Sequence, residues 1–262
     1  MNDILEKIIQ NKKIEIEKNK SRCSYSSLEK LINNQKNRNF KELLYNSHKM
    51  KKNNIIAEIK KGSPSAGIII DDYSPENIAV EYEKAGIGAI SILTDEKFFF
   101  GEIDHLSVVS KITNLPIIRK DFIIDEYQII ESKSLGADVI LLIASCLSKK
   151  KIKYLSNFAK SINLEVILEV HSKDELSNLC DTIDVIGVNN RNLKKFKTDI
   201  NISVNLATLI PNSFMKISES GISTHNEIKI LKKYGYDGFL IGESFMREKD
   251  PVLACKNFIS KI

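Results

Sequence analysis

Glu58 and Lys60 stand two residues apart in Ala57-Glu58-Ile59-Lys60-Lys61-Gly62-Ser63-Pro64-Ser65-Ala66-Gly67. On a strand that spacing turns both side chains to one face. An acid and an amine at a strand end, before a turn of Gly, Ser and Pro, are costly to bury unless something binds there. Lys120, in Arg119-Lys120-Asp121-Phe122, is surrounded by Ile117, Ile118, Phe122 and Ile123. A lysine in a partly dry mouth has a lowered pKa and donates a proton near neutrality. The competing reading is a structural ion pair with Asp121 or Glu169. Glu169 interrupts the apolar run Val166-Ile167-Leu168-Glu169-Val170. Desolvation there raises a carboxyl group toward the range of a general base, and Glu58 invites the same reasoning. Asn189 and Arg191 are again two apart: the amide suits a hydroxyl or carbonyl, the guanidinium a carboxylate.

A second group of residues reads as binding rather than acid–base chemistry. Ser218-Glu219-Ser220-Gly221-Ile222-Ser223 and Phe239-Leu240-Ile241-Gly242-Glu243-Ser244 are runs of small residues after apolar stretches. Small residues leave backbone N–H groups open, and a following helix adds a favourable dipole, which together suit a phosphate. The plainer reading is that Gly221 and Gly242 only make tight turns. Lys60 and the Ser63 turn can approach the same anion. Phe98-Phe99-Phe100 can wall an aromatic ring or merely anchor a loop. Leu141 and Leu193 suit the same wall, with core packing the competing duty for Leu141.

These residues need elements to bring them together. Eight short apolar runs recur: Asn54 to Lys60, Ala89 to Thr94, Ile117 to Phe122, Val139 to Ala144, Glu165 to Val170, Val185 to Asn190, Met215 to Ser220 and Gly238 to Ser244. Seven carry a polar residue at or near the C-terminal end: Lys60, Thr94, Lys120, Glu169, Asn189, Glu219 and Glu243. Amphipathic segments such as Pro75 to Ala85, Glu126 to Leu135 and His225 to Tyr234 lie between them. Strands alternating with helices predict a parallel α/β sheet, and eight units predict a (β/α)8 TIM barrel. In that fold the strands' C-terminal ends form the active site, so the polar ends are expected to share one mouth. The first fifty or so residues carry Ile and Leu at rough helical spacing among Lys and Glu. They predict a helical extension, residues 1–53, on a barrel of residues 54–262, within one domain. Whether the extension caps the bottom of the barrel or folds over its mouth stays open.

The chain has 262 residues, 42% hydrophobic, enough for one large core. Its formal charge of +5 suits an anionic small molecule. The lysine runs lack interleaved aromatics, which argues against nucleic acid. Cys23, Cys146, Cys180 and Cys255 show no C-x-x-C spacing, and His48, His105, His171 and His225 form no H-x-x-x-H pair. A disulfide framework or a metal centre therefore has no support. There is no G-x-G-x-x-G, no apolar run long enough to span a bilayer and no signal-peptide core. A cytoplasmic protein, with neither membrane nor nucleic acid as partner, is expected.

Seven segments in order resemble the indole-3-glycerol phosphate synthase family. They are Glu58-Ile59-Lys60-Lys61-Gly62-Ser63-Pro64-Ser65, Ser91-Ile92-Leu93-Thr94-Asp95-Glu96-Lys97-Phe98-Phe99, Arg119-Lys120-Asp121-Phe122, Leu168-Glu169-Val170-His171, Gly187-Val188-Asn189-Asn190-Arg191-Asn192-Leu193, Ser218-Glu219-Ser220-Gly221-Ile222 and Leu240-Ile241-Gly242-Glu243-Ser244. The resemblance implies ring closure of 1-(2-carboxyphenylamino)-1-deoxyribulose 5-phosphate with loss of carbon dioxide and water, in tryptophan biosynthesis, without a cofactor. It makes Lys120 the general acid and Glu169 the acid/base of the dehydration half, with Lys60 close to the reacting groups. Glu58, Asn189 and Glu219 would position and stabilise, and Arg191 would orient carboxylates or substrate. Ser63, Gly221, Gly242 and Glu243 fall at phosphate-binding positions, the last through its backbone N–H, and Ser220 is expected to bind substrate. Phe99, Phe122, Leu141 and Leu193 resemble the wall of the anthranilate pocket. The chain departs from the family pattern at Phe100 and Glu102, in a loop expected to cap the mouth. A monofunctional monomer or weak homo-oligomer is implied. Lys120→Ala is expected to abolish turnover with little loss of stability. The rivals are a phosphoribosylanthranilate isomerase, which wants a Cys/Asp pair, a Schiff-base aldolase, and a non-catalytic phosphate-binding barrel.

Overall fold

The computed structural model describes residues 4–32, 35–50, 52–71, 73–192 and 197–262. Eight parallel strands close on themselves: β1 (Ile55–Ile59), β2 (Ala89–Leu93), β3 (Ile117–Lys120), β4 (Val139–Ile143), β5 (Glu165–Val170), β6 (Val185–Asn189), β7 (Met215–Glu219) and β8 (Gly238–Ile241). Each strand pairs with its sequence neighbours, and β1 closes the ring against β8 through Ile55–Phe239 and Ala57–Ile241. A two-residue hairpin, Gly62–Ser63 against Gly67–Ile68, rises from the end of β1.

Alternation along the strands separates two cores. Ile56, Ile118, Leu141, Ile167, Val185, Ile217 and Leu240 fill the barrel's interior. Ile55, Ala57, Ile59, Ile90, Leu142 and Val188 face outward, against the surrounding helices. The period of two leaves Glu58, Lys120, Glu169, Asn189 and Glu219 on the inward side, at the C-terminal rim.

The helices begin where the sequence supplies caps. Ser74 accepts from the backbone of Asn77 ahead of Pro75–Ala85, and Thr224 with Glu227 forms a capping box on His225–Lys233. Asp125 with Gln128 does the same for Glu126–Ser134. The extension forms α1 (Ile4–Arg22), α2 (Tyr25–Ile32) and α3 (Phe40–Lys49).

The extension serves both ends of the barrel. Phe40 and Leu44 of α3 plug the bottom, where Glu165 accepts from the Lys41 backbone at 2.9 Å and Arg38 pairs with Asp138 at 2.7 Å. Along α1, Ile8 and Ile9 pack with Phe98 and Phe99 beside the mouth. Lys12 of the same helix is fully buried, with Nζ 3.0 Å from Asp95 and 2.9 Å from Asp121.

Candidate active site

One pocket at the C-terminal rim gathers residues from all around the ring. It is lined by Glu58 of β1, Lys60 and Ser63 after it, Phe99 after β2, Lys120 at the end of β3, Phe122 after it, and Leu141 from β4. Glu169, Asn189, Arg191, Ser220, Gly221, Gly242 and Glu243 complete it. Glu219 is fully buried just beneath, bonded to Lys120. Leu193, expected in the aromatic wall, lies outside the described residues.

Lys120 occupies the centre. Its Nζ donates to Glu169 Oε2 at 2.7 Å and to Glu219 Oε2 at 2.6 Å. Asn189 Nδ2 donates to the other oxygen of Glu169 at 3.1 Å. Beside this group Lys60 Nζ pairs with Glu58 Oε1 at 2.8 Å. The pair two apart on β1 is thus a real pair, on one face as its spacing requires.

The ionisation states reverse two expectations. Burial alone pushes Lys120 toward the neutral amine and is the largest single influence on it, but Glu169, Glu219 and Glu58 together outweigh it and raise its pKa. Burial likewise pushes Glu169 upward, and Lys120 with His171 overcomes it, so that carboxyl lies well below its ordinary value. Glu58 is also lowered, by Lys60 and Lys120 against its burial. Lys120 is therefore not a depressed amine, nor Glu169 a raised acid. Desolvation arguments treat each group alone, whereas the barrel sets them within hydrogen-bond reach of opposite charge. Glu219 is the one pushed up, to about 7, by burial first, then by Glu169 and Glu58, with Lys120 opposing.

The far side of the pocket is made of tight, glycine-lined turns. Ser220 and Gly221 both adopt left-handed backbone, φ 66° and 71°, turning the chain sharply after β7. A Cβ on Gly221 would lie 2.9 Å from Thr198 Cβ, and one on Gly242 would lie 2.7 Å from Glu58 Oε1. Only glycine permits both close approaches. Glu243 is not a strand end: it opens the short helix Glu243–Met246, and its carboxylate accepts from Arg191 at 2.8 Å and Arg247 at 2.7 Å. Arg191 also donates to Ser65 Oγ at 3.1 Å, tying the loops after β1 and β6 to this helix. On the opposite wall the rings of Phe99 and Phe122 lie 5.9 Å apart, and Leu141 packs in the barrel interior beneath.

Thr94 is a correction. It does not face the mouth: its hydroxyl donates to Asp121 at 2.6 Å, within a buried network of Arg119, Asp121, Glu131 and Lys12. Asp121 pairs with Arg119 and Lys12, and so leaves Lys120 to the two glutamates. Phe100 lies against the β1 hairpin, with a ring carbon 2.7 Å from where a Gly62 Cβ would sit, so the departure at this position is a loop-to-loop contact.

Two contributors escaped the sequence reading. Lys12 follows Ile8 and precedes Ile16 at four-residue steps, all three buried on one stripe of α1. A charge on an apolar stripe was the available signal. His171 stands two residues beyond Glu169, with Nε2 3.3 Å from its Oε1. Its spacing put it on the same face, as for Glu58 and Lys60.

Comparison with known proteins meets this geometry directly. The family model described as indole-3-glycerol phosphate synthase matches residues 5–258. The chain belongs to that family. An indole-3-glycerol phosphate synthase from Campylobacter fetus subsp. fetus is 45% identical over 256 residues, covering 97% of this chain and 98% of the relative. One from Bacteroides thetaiotaomicron is 44% identical over the whole of both chains, and one from Alkaliphilus metalliredigens 43% over 93% of each. Among solved structures, KGPDC from Streptococcus mutans superposes with a TM-score of 0.59 at 14% identity, over 80% of this chain and 98% of that one. At that identity it bears on the barrel fold alone. Membership makes the protein a carboxy-lyase of tryptophan biosynthesis, acting on a small-molecule substrate. Among the described residues no helix is long and apolar enough to cross a membrane.

Proposed function

We propose that this pocket closes the indole ring on 1-(2-carboxyphenylamino)-1-deoxyribulose 5-phosphate with Lys120 and Glu169 as its proton-handling pair. The single observation that carries the assignment is Lys120 Nζ held by Glu169 and Glu219 at 2.7 and 2.6 Å, between an aromatic wall and a glycine-lined anion end. The substrate has matching parts in the same order: an aromatic carboxylate, a reacting ketone and a phosphate.

The phosphate rests on the backbone N–H groups of Gly221, Gly242 and Glu243, with Ser63 and Ser220 beside it. The aromatic ring lies against Phe99, Phe122 and Leu141. That placement brings the ketone oxygen to the Lys120 ammonium. A cation there stabilises the negative charge that develops as the ring carbon attacks. Because its carboxylate partners keep it charged, Lys120 gives up its proton only to the strongly basic alkoxide, and not to the ketone. Carbon dioxide then leaves from the attacking ring carbon, and its bonding electrons restore the aromaticity of the benzene ring. In the dehydration that follows, ionised Glu169 takes the proton from the ring nitrogen or carbon, and the hydroxyl leaves as water with a proton from Lys60 or Lys120. Glu58 holds Lys60, Asn189 orients Glu169, and Glu219, near neutrality, returns a proton to Lys120. Arg191 braces the phosphate loops through Glu243 and Ser65.

Residues 1–53 belong to the same domain as the barrel in this reading, since α1 and α3 complete its two ends. The protein works as a monomer or weak homo-oligomer in the cytoplasm; the scattered spacing of Cys23, Cys146, Cys180 and Cys255, with no C-x-x-C, supports a reducing compartment.

Growth of indole fluorescence on mixing purified protein with the carboxyphenylamino-deoxyribulose phosphate tests the assignment, with Lys120→Ala and Glu169→Gln alongside. Signal from the wild type and none from either variant is expected. Wild-type turnover in both variants removes these residues from the chemistry.

A further inference from the structure

His171 lies at the end of β5 with its imidazole between two carboxylates. Nε2 is 3.3 Å from Glu169 Oε1, and Nδ1 is 3.4 Å from Glu175 Oε2. Glu175 Oε2 accepts the backbone N–H of His171 at 2.7 Å, which fixes the main chain, while its contact with the ring is an ion-pair distance and not a hydrogen bond. Glu175 sits on the short turn of helix Asp174–Asn178, outside the substrate pocket. The imidazole is only 12% exposed and does not line that pocket.

Each oxygen of Glu169 thereby has its own set of neighbours. Oε2 receives Lys120, and Oε1 receives Asn189 while facing His171. We propose that His171, its backbone braced by Glu175, is a positioning residue for Glu169: it sets a second positive charge against the carboxylate's Oε1, beside that of Lys120. This rests on Glu169 being the acid/base assigned above.

The role has a chemical reason. When Lys120 passes its proton to the substrate alkoxide, Glu169 loses its principal counter-charge at the moment it must act as a base. A second cation that does not touch substrate keeps the carboxylate ionised through that step. Glu169 and Glu175 are the charged groups set against the ring, and both favour the imidazolium. Consistently, His171 is raised to about 9: burial opposes the charge, and Glu169 and Glu175 outweigh it.

Separate kcat and KM values for wild type, His171→Leu, His171→Gln, Glu175→Gln and Glu169→Gln across pH 5 to 10 decide the matter. His171→Leu is expected to lower kcat roughly ten- to a hundredfold with KM nearly unchanged. Its acid limb of kcat moves to higher pH by about one unit, as Glu169 loses a nearby cation. His171→Gln, which keeps a donor but no charge, recovers part of kcat without restoring the pH limb. Glu175→Gln is expected to give the same displacement in smaller degree, and reports on the brace should either His171 variant fail to fold. Inert Glu169→Gln beside His171 variants with wild-type kcat and pH profile overturns the role of His171 alone. Active Glu169→Gln overturns the acid/base assignment, and the role of His171 with it.

Discussion

Lys120 Nζ donates to Glu219 Oε2 at 2.6 Å although 99 residues separate them in the chain. The contact crosses the interior of the barrel from β3 to β7. It links the amine to the one carboxylate of the site pushed up to about 7. A proton can therefore pass between two groups that burial would otherwise have neutralised separately. The ion pair also makes Lys120 a structural element, contrary to the expectation that its removal costs little stability.

Lys120→Ala is expected to lose turnover and about 3–5 kcal/mol of stability at neutral pH, because it strands buried carboxylates without their cation. The pH dependence has a definite sign. In the wild type Glu169 lies below its ordinary 4.5, so its contribution is present above that value and is lost as pH falls. In the variant Glu169 and Glu219 both rise above 4.5, so the folded state retains protons that the unfolded chain releases. Stability of the variant then falls as pH rises. Denaturant titrations at pH 5 and pH 8 should show the larger deficit at pH 8; a deficit independent of pH contradicts the pairing.

Glu169→Gln keeps the shape and the Asn189 contact but not the charge. A loss of about 10²–10⁴ in kcat is expected, with KM within a few-fold. Steady-state kinetics by indole fluorescence measure both. A change confined to KM assigns Glu169 to binding.

Gly242→Ala places a methyl group 2.7 Å from Glu58 Oε1 and 2.8 Å from Glu58 Cβ. Something must shift, at a cost of about 1–3 kcal/mol. Both the Gly242 turn, to which the phosphate is assigned in the proposed reaction, and the Glu58–Lys60 pair are disturbed, so a higher KM and weaker protection by inorganic phosphate in thermal unfolding are expected. Unaltered phosphate protection places the anion elsewhere.

Lys12→Met removes a fully buried cation paired with Asp95 and Asp121. It is expected to cost about 3–5 kcal/mol. Lys20→Met, at an exposed pair on the same helix, is expected to cost about 0–1 kcal/mol. Asp95 caps the turn that carries Phe99, and Asp121 follows Lys120, so kcat should fall with Lys12→Met as well. Equal stability losses for the two variants contradict the network.

His171 adds a second pH signature. Its pKa is raised from 6.5 to about 9, so its contribution is full below about 6.5 and is lost as pH rises through 9. The stability difference between wild type and His171→Gln is expected to shrink over that window, by on the order of 3 kcal/mol. Paired unfolding curves at pH 6 and pH 9.5 measure it; a constant difference excludes the imidazolium.

By itself the sequence determined the strands and most of their polar ends, though not Thr94 or Glu243, because alternation, capping residues and turn glycines act within a few residues of one another. Pro75–Ala85 begins and ends where its Ser74 cap and following Gly86 require. Glu58 and Lys60 share a face for the same local reason. Closure of the barrel decided what these residues meet. Lys120 reaches Glu169 across 49 positions, Glu243 turns to Arg191, and Lys12 of the extension reaches buried Asp121 beside the mouth. Coulomb interactions depend on separation in space, which the pattern of residue types does not encode. Burial still acts to lower the lysine and raise the glutamate, but the opposite charge 2.7 Å away outweighs it.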